Sequence, residues 1–331
     1  MNLKTEFKQL KRDLSVAKSV VILTHISPDG DALGSLLAMK AIVRTFSNIQ
    51  TIDAIIIGKV PGVYRFLPEK EIIKNPDDPS LLFEYDLALI VDCATKDRLA
   101  FSEPLFNRSK KTFGIDHHES NTIFADVNII DPLASATGEI IYNLLKEFNI
   151  ELNPAIATYL YTAILTDTGG FKYGNTTQAS LSICAELIGS GANAQKIYQE
   201  CFENKPFEMV KLHSVAMNLV RLSEDKKIAW TLVSRDMLNR LDAKDEYIEG
   251  LVELLRQIDT VEIAMLFKET KDGNIKVSLR SKKVGISNLA AEFNGGGHKF
   301  AAGCTMKGYN LATAIETMIP KAQALFINNS C

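Results

Sequence analysis

Short, uniformly apolar runs alternate with helical periodicity through the first half of this chain. Val20-Val21-Ile22-Leu23-Thr24 predicts a buried strand, and residues 32–46 follow it with the spacing of a helix. Residues 52–57, 87–91 and 113–115 repeat the strand signal. Continuous apolar strands separated by helices imply a parallel sheet covered on both faces. In such sheets ligands bind beyond the carboxyl ends of the strands.

From about Pro154 the pattern turns helical, at 155–165, 178–188 and 194–202, and 207–222 predicts a long connecting helix. Strands at 228–233, 261–267 and 275–279 then open a second α/β unit, with Asp272-Gly273 as a hairpin turn and 311–326 as a terminal helix. A length of 331 residues exceeds what one core normally supports, so two domains are expected. The pattern divides the chain into a first domain over 1–190, a helical linker over 191–225 and a second domain over 226–331.

Composition narrows the function classes. The formal net charge of −3 disfavours a general binder of long nucleic acid, which would be basic. No run of eighteen apolar residues is present, so no membrane-spanning helix is expected. The polar, heptad-like start, with Phe7, Leu10, Leu14 and Ala17 on one stripe, is unlike a signal peptide, and a cytoplasmic location is expected. The five cysteines include no C-x-x-C pair, which argues against a disulfide framework or a zinc ribbon. Cys93, next to Asp92, reads as a small buried hydrophobe.

Candidate chemistry is concentrated. Four of the five histidines fall in three motifs: His25-Ile26-Ser27-Pro28-Asp29-Gly30-Asp31, Asp116-His117-His118, and Gly295-Gly296-Gly297-His298. The fifth, His213, lies on the predicted connecting helix and reads as a packing or surface residue. His25, Asp92 and Asp116 each stand at or just after the end of a predicted strand, so three segments deliver imidazoles and carboxylates to one sheet edge. Asp167, in Thr166-Asp167-Thr168-Gly169-Gly170, resembles a further ligand loop, whereas Asp29 taken alone also reads as a helix cap. Such a donor set suits Mn, Fe or Zn, and carboxylates this crowded need cations to neutralise them.

The run His25 to Ser35, taken with Asp116-His117-His118, Lys276-Val277-Ser278-Leu279-Arg280-Ser281 and Gly295 to His298, resembles the DHH/DHHA1 phosphoesterase family over nearly the whole chain. By size and domain content the chain resembles the bacterial NrnA-like group. The resemblance implies an α/β fold: a parallel-sheet DHH catalytic domain and a smaller α/β DHHA1 substrate domain, joined by a helical linker. It implies one Mn2+ held by His25, Asp29 and Asp92, and a second held by Asp31, Asp92, His117 and Asp167, with Asp92 bridging. Mg2+, Co2+ and Fe2+ are alternatives. Asp116 would orient His117, and His118 would contact the scissile phosphate or protonate the leaving oxygen. Arg280, Ser281, Asn294, Gly295, Gly296, Gly297 and His298 would bind substrate.

The implied activity is hydrolysis of two- to five-nucleotide RNA or DNA to mononucleotides, and of 3′-phosphoadenosine 5′-phosphate (pAp), by water activated between two metal ions. A homodimer is compatible with the resemblance. Two alternatives remain open: a soluble cyclic-dinucleotide phosphodiesterase, and a nucleotide-binding sensor without turnover. An inorganic pyrophosphatase shares Asp-His-His but lacks the Gly-Gly-Gly-His ending, and a RecJ-like exonuclease would need further domains.

Overall fold

A computed structural model describes residues 3–327. The chain forms two compact units, one ending at Asn204 and the other beginning at Lys205. In the first, α1 (Lys4–Val16) lays Phe7, Leu10 and Leu14 onto the core before β1 (Ser19–Leu23), α2 (Gly30–Val43), β2 (Thr51–Ile55) and β3 (Ile73–Lys74). There follow β4 (Leu87–Val91), α3 (Glu103–Asn107), β5 (Lys111–Asp116), β6 (Val127–Ile130), α4 (Thr137–Phe148), α5 (Pro154–Asp167), α6 (Gln178–Gly189) and α7 (Ala194–Tyr198).

The six strands form one sheet in the order β3-β2-β1-β4-β5-β6, and every pairing is parallel. β1 and β4 are buried at every position, as their apolar runs predict. The strand order reverses between β1 and β4, and a doubly wound sheet opens its ligand crevice at such a reversal. Residues on one face of the sheet, such as Ile22, Leu89 and Phe113, pack with α2, α4 and α5. On the other face Val21, Ala88 and Ile90 pack with Tyr85, Leu99 and Phe106.

The helix α2 is buried almost all round, which explains why its sequence carries no polar stripe. It approaches α5 so closely that a Cβ at Gly34 would stand 2.4 Å from the Tyr159 carbonyl oxygen. A Cβ at Gly138, in α4, would stand 2.5 Å from that of Ala163. The glycines thus lock three helices into one block under the carboxyl edge of the sheet.

The second unit contains α8 (Phe207–Asn218), β7 (Arg221–Leu222), β8 (Ile228–Val233), α9 (Arg235–Arg240), α10 (Leu251–Arg256), β9 (Ile263–Glu269) and β10 (Ile275–Ser281). It closes with α11 (Ser287–Ala291), β11 (Gly296–His298), β12 (Ala301–Met306) and α12 (Leu311–Ile327). Its sheet runs β11-β12-β10-β9-β8-β7 and is mixed, with β8 and β9 parallel and the other pairs antiparallel. Asp272-Gly273 forms the predicted turn, with Gly273 at φ 76°. The helix predicted over 207–222 is shorter than its pattern: α8 stops at Asn218, and Arg221 and Leu222 pair with Trp230 and Ala229 as an edge strand. His213 is a core histidine, its Nε2 facing the Tyr247 carbonyl at 2.9 Å, and burial holds its pKa below the ordinary value.

Candidate metal centre

Strand ends deliver the first group of side chains. His25 follows β1 and is buried; its Nδ1 faces the Ile26 carbonyl at 2.8 Å and the Arg98 guanidinium at 3.0 Å. Its Nε2 therefore looks toward Asp92, 3.6 Å from Oδ2. Asp92 follows β4 and is buried in a left-handed conformation, φ 54°, with its N–H donating to the Ile115 carbonyl. That bend turns its carboxylate into the crevice instead of continuing the strand.

Asp29 does two things. Its Oδ1 accepts the Ala32 N–H at 3.0 Å, capping α2, and the carboxyl also lies in a group with His25 and Asp92. Asp31, one residue inside the helix, is buried and accepts N–H bonds from Thr137 at 2.7 Å and Gly138 at 3.0 Å, and an O–H bond from Ser35 at 2.9 Å. The amino end of α4 thus grips it, as a helix dipole favours.

His117 donates from Nδ1 to the Ala134 carbonyl at 3.2 Å. The other ring nitrogen, Nε2, faces Asp167 at 3.6 Å, Asp31 at 3.8 Å and Asp92 at 3.9 Å. Asp167, at the end of α5, accepts from Asn175 Nδ2 at 3.2 Å, and the same amide donates to the Ser135 carbonyl. Asp116 departs from its expected role. Its Oδ1 accepts from His118 Nδ1 at 2.7 Å and meets only the backbone N–H of His117; Oδ2 accepts from Asn121. The Ala134 carbonyl, not Asp116, sets the His117 ring.

Three groups of donor atoms result, each within 4.8 Å of one another: His25, Asp29 and Asp92; Asp31, His117 and Asp167; and Asp92, His117 and His118. Imidazole nitrogens aimed at carboxylates suit a transition metal, and the carboxylates repel one another until a cation joins them. The electrostatics carry that signature. Burial, then the neighbouring carboxylates Asp92, Asp167 and Asp29, push Asp31 well above the usual carboxylate range. Burial raises Asp29, with Asp92 adding to it, and burial lifts Asp167 to about 6. Asp92 goes the other way: burial opposes its charge, but His25, His118 and His117 outweigh it and hold the pKa low. His118 is raised to about 9, chiefly by the Asp116 hydrogen bond.

Cys93 stands apart from these groups. Burial lifts its thiol to about 12, and Sγ donates to the Thr95 carbonyl, so it is the packed hydrophobe expected. The residues that sequence reasoning missed are Thr137, Gly138, Asn121, Asn175 and Arg98. Ile140, Ile141, Leu144, Leu145 and Phe148 carry the helical spacing that would have revealed α4, and with it Thr137.

In the second unit, Arg280, Ala301 and His298 occupy one row across β10, β12 and β11. Arg280 donates from Nε to Glu253 at 2.9 Å and from Nη1 to the Leu279 carbonyl. The His298 side chain lies outside the described part. Gly295 and Gly297 lie tight on β12: a Cβ there would stand 2.2 Å from the Gly303 carbonyl and 2.4 Å from that of Ala301. Gly296 is open on its free side, and Asn294, at φ 54°, ends the turn after α11 with its side chain exposed. Ser281 is buried, and its hydroxyl accepts the Val284 N–H.

Comparison with known proteins agrees with this layout. The model of the DHH family, N-terminal domain, matches residues 19–164, and that of the DHHA1 domain matches residues 225–326. The chain is 29% identical over 310 residues to the bifunctional oligoribonuclease and PAP phosphatase NrnA of Bacillus subtilis, covering 93% of this chain and 95% of that protein. It is 30% identical over 286 residues to an uncharacterized protein of Mycoplasma genitalium, covering 85% and 84%. A crystal structure of an exopolyphosphatase-related protein from Bacteroides fragilis superposes with a TM-score of 0.90 at 25% identity, covering 97% of both chains.

Proposed function

This chain belongs to the DHH/DHHA1 phosphoesterase family, and we propose that it hydrolyses oligonucleotides of two to five nucleotides, and pAp, with two Mn2+ ions. The observation that carries the two-ion reading is the division of the Asp92 carboxylate. Oδ2 faces His25, while Oδ1 faces His117 and His118. His25, Asp29 and Asp92 would hold one ion; Asp31, Asp92, His117 and Asp167 would hold the other. Divalent ions there supply Lewis-acid charge to the phosphate oxygens and to the attacking water.

The protein's own groups do the rest. Asp116 holds His118 by Nδ1, which favours the protonated imidazole and would leave Nε2–H to protonate the leaving oxygen. Arg280, whose Nε and Nη1 are bonded to Glu253 and the Leu279 carbonyl, would offer the remainder of its guanidinium fork to phosphate, with His298 in the same row of the sheet. We assign 1–190 to catalysis, 226–331 to substrate recognition and 191–225 to the linker. The substrate class follows the activities in the names of the NrnA relatives. No helix among the described residues is long and apolar enough to cross a membrane, and we place the enzyme in the cytoplasm.

The test is Mn2+-dependent hydrolysis of a dinucleotide, a 5-mer, a 24-mer, pAp, cyclic di-AMP and pyrophosphate. Preference for the dinucleotide and 5-mer, with or without pAp, supports the reading. Pyrophosphate or cyclic di-AMP as the sole good substrate overturns the substrate assignment, and tight nucleotide binding with no turnover makes the chain a sensor.

A further inference from the structure

The segment from Ala134 to Gly138 touches nearly every arm of the centre, although none of its side chains belongs to a donor group. Its carbonyls hold His117 directly and Asp167 through Asn175, and its amides hold Asp31. Among the described residues its one side-chain hydrogen bond to a donor-group residue is the most selective. Thr137 is fully buried, and its hydroxyl donates to Asp92 Oδ1 at 3.1 Å.

Asp31 and Asp92 are held very differently. Both Asp31 oxygens are fixed, by three donors in all. Among the described residues Thr137 gives the Asp92 carboxylate its shortest side-chain hydrogen bond, to Oδ1 at 3.1 Å. His25 Nε2 stands 3.6 Å from the other oxygen, Oδ2, and His118 and His117 stand 3.7 and 3.9 Å from Oδ1. The left-handed backbone sets where this carboxylate starts, His25 draws Oδ2, and the Thr137 hydroxyl holds Oδ1.

We propose that Thr137 is a positioning residue that holds the Asp92 carboxylate between the His25 and His117 sides of the centre, so that it would be available to an ion on each side. The proposal rests on the two-ion reading above. Without the hydroxyl, Asp92 is free to turn both oxygens toward His25 and Asp29, and the His117 group loses its shared ligand. The first ion then keeps its site and the second is weakened. A cap of purely local importance would behave otherwise, because the α4 backbone amides that grip Asp31 survive any change of the Thr137 side chain.

The experiment is Mn2+ titration of the metal-free full-length chain, reading free Mn2+ by electron paramagnetic resonance, for wild type, Thr137→Val and Thr137→Ser. Wild type should take up two ions. In Thr137→Val one ion should bind as in wild type and the other about 10- to 100-fold more weakly, the usual cost of removing a group that orients a ligand. Thr137→Ser should restore the second ion. In the kinetics kcat should fall at subsaturating Mn2+ while KM for a dinucleotide holds. Thr137→Ala, which only removes atoms, serves if the valine variant fails to fold. Two ions bound at wild-type affinity by the valine or alanine variant, or no rescue by serine, overturns the proposal. A wild-type chain that binds one ion overturns the two-ion reading, and this proposal with it.

Discussion

Asp116 is bonded to His118, not to the ring of His117: its Oδ1 lies 2.7 Å from His118 Nδ1, and Asn121 holds its other oxygen. The adjacent histidines therefore have different supports and different chemistry. The ring of His117 is set by a neutral carbonyl, with Nε2 facing Asp31, Asp92 and Asp167. That of His118, set by a carboxylate, keeps its proton.

This difference is measurable in the metal-free protein. His118 titrates at about 9, raised by Asp116, so Asp116→Asn should bring it down toward the ordinary histidine range in ring-nitrogen NMR. The folded pKa lies above the unfolded one, so the pair's contribution to stability is complete below about pH 6.5 and lost as pH rises through about 9. An unchanged His118 titration in the variant would mean that Asp116 does not set its charge.

Metal removal should leave a fold that prefers acid. Asp167 is raised to about 6 by burial, and Asp31 and Asp29 shift the same way, so in the chelated protein stability falls as pH climbs from the unfolded carboxylate range through about 6. Asp92 is shifted oppositely and offsets part of this. The melting temperature of chelated protein should therefore drop between about pH 5 and pH 7, and Asp167→Asn should flatten the curve. Added Mn2+ should raise the melting temperature most at the higher pH.

Asp92→Ala should abolish turnover with every divalent ion, because two of the three donor groups share its carboxylate. Full activity in that variant would refute the two-metal centre.

Gly34→Ala should destabilise the first unit although alanine is the better helix former. The propensity gain is about 1 kcal/mol, whereas the new methyl meets the Tyr159 carbonyl and Ala163, and overpacking of this kind costs about 1–3 kcal/mol and moves backbone. Because α2 carries Asp31 and α5 carries Asp167, Mn2+ affinity should fall as well. Urea denaturation and a Mn2+ titration of one sample read both effects.

Arg280→Ala should raise KM for a dinucleotide by about tenfold or more, the worth of a charge-assisted hydrogen bond, and leave Mn2+ binding intact. Glu253→Gln should raise KM less, since it loosens the guanidinium without removing it. Unchanged KM in Arg280→Ala would remove that residue from recognition.

Legibility followed contact range. The buried strands β1 and β4 are nearly continuous apolar runs and β5 is centred on Phe113-Gly114-Ile115, and His25, Asp92 and Asp116 at their ends could be placed on one edge from sequence alone. Asp29 caps α2 with one oxygen and still stands in a group with His25 and Asp92, because a carboxylate has two oxygens and the cap uses one. What escaped depended on partners distant in the chain. Thr137 meets Asp92 across 45 residues, and nothing local to Ser135-Ala136-Thr137 announces it. The α8 boundary was misplaced because Val220-Arg221-Leu222 continues an apolar pattern that strand pairing with β8 captures. Asp116 was assigned to the neighbouring ring because sequence adjacency does not say which histidine turns back on it.

The left-handed bend at Asp92 bears on how such a hydrolase could change trade. Aspartate, asparagine and glycine are the residues that adopt this conformation readily, so asparagine there would keep the bend while withdrawing the shared charge. The neighbouring helices and the second unit's Arg280 row would be untouched by that single exchange. A lineage needing a receptor instead of a hydrolase would have a one-residue route to it, with the scaffold already paid for.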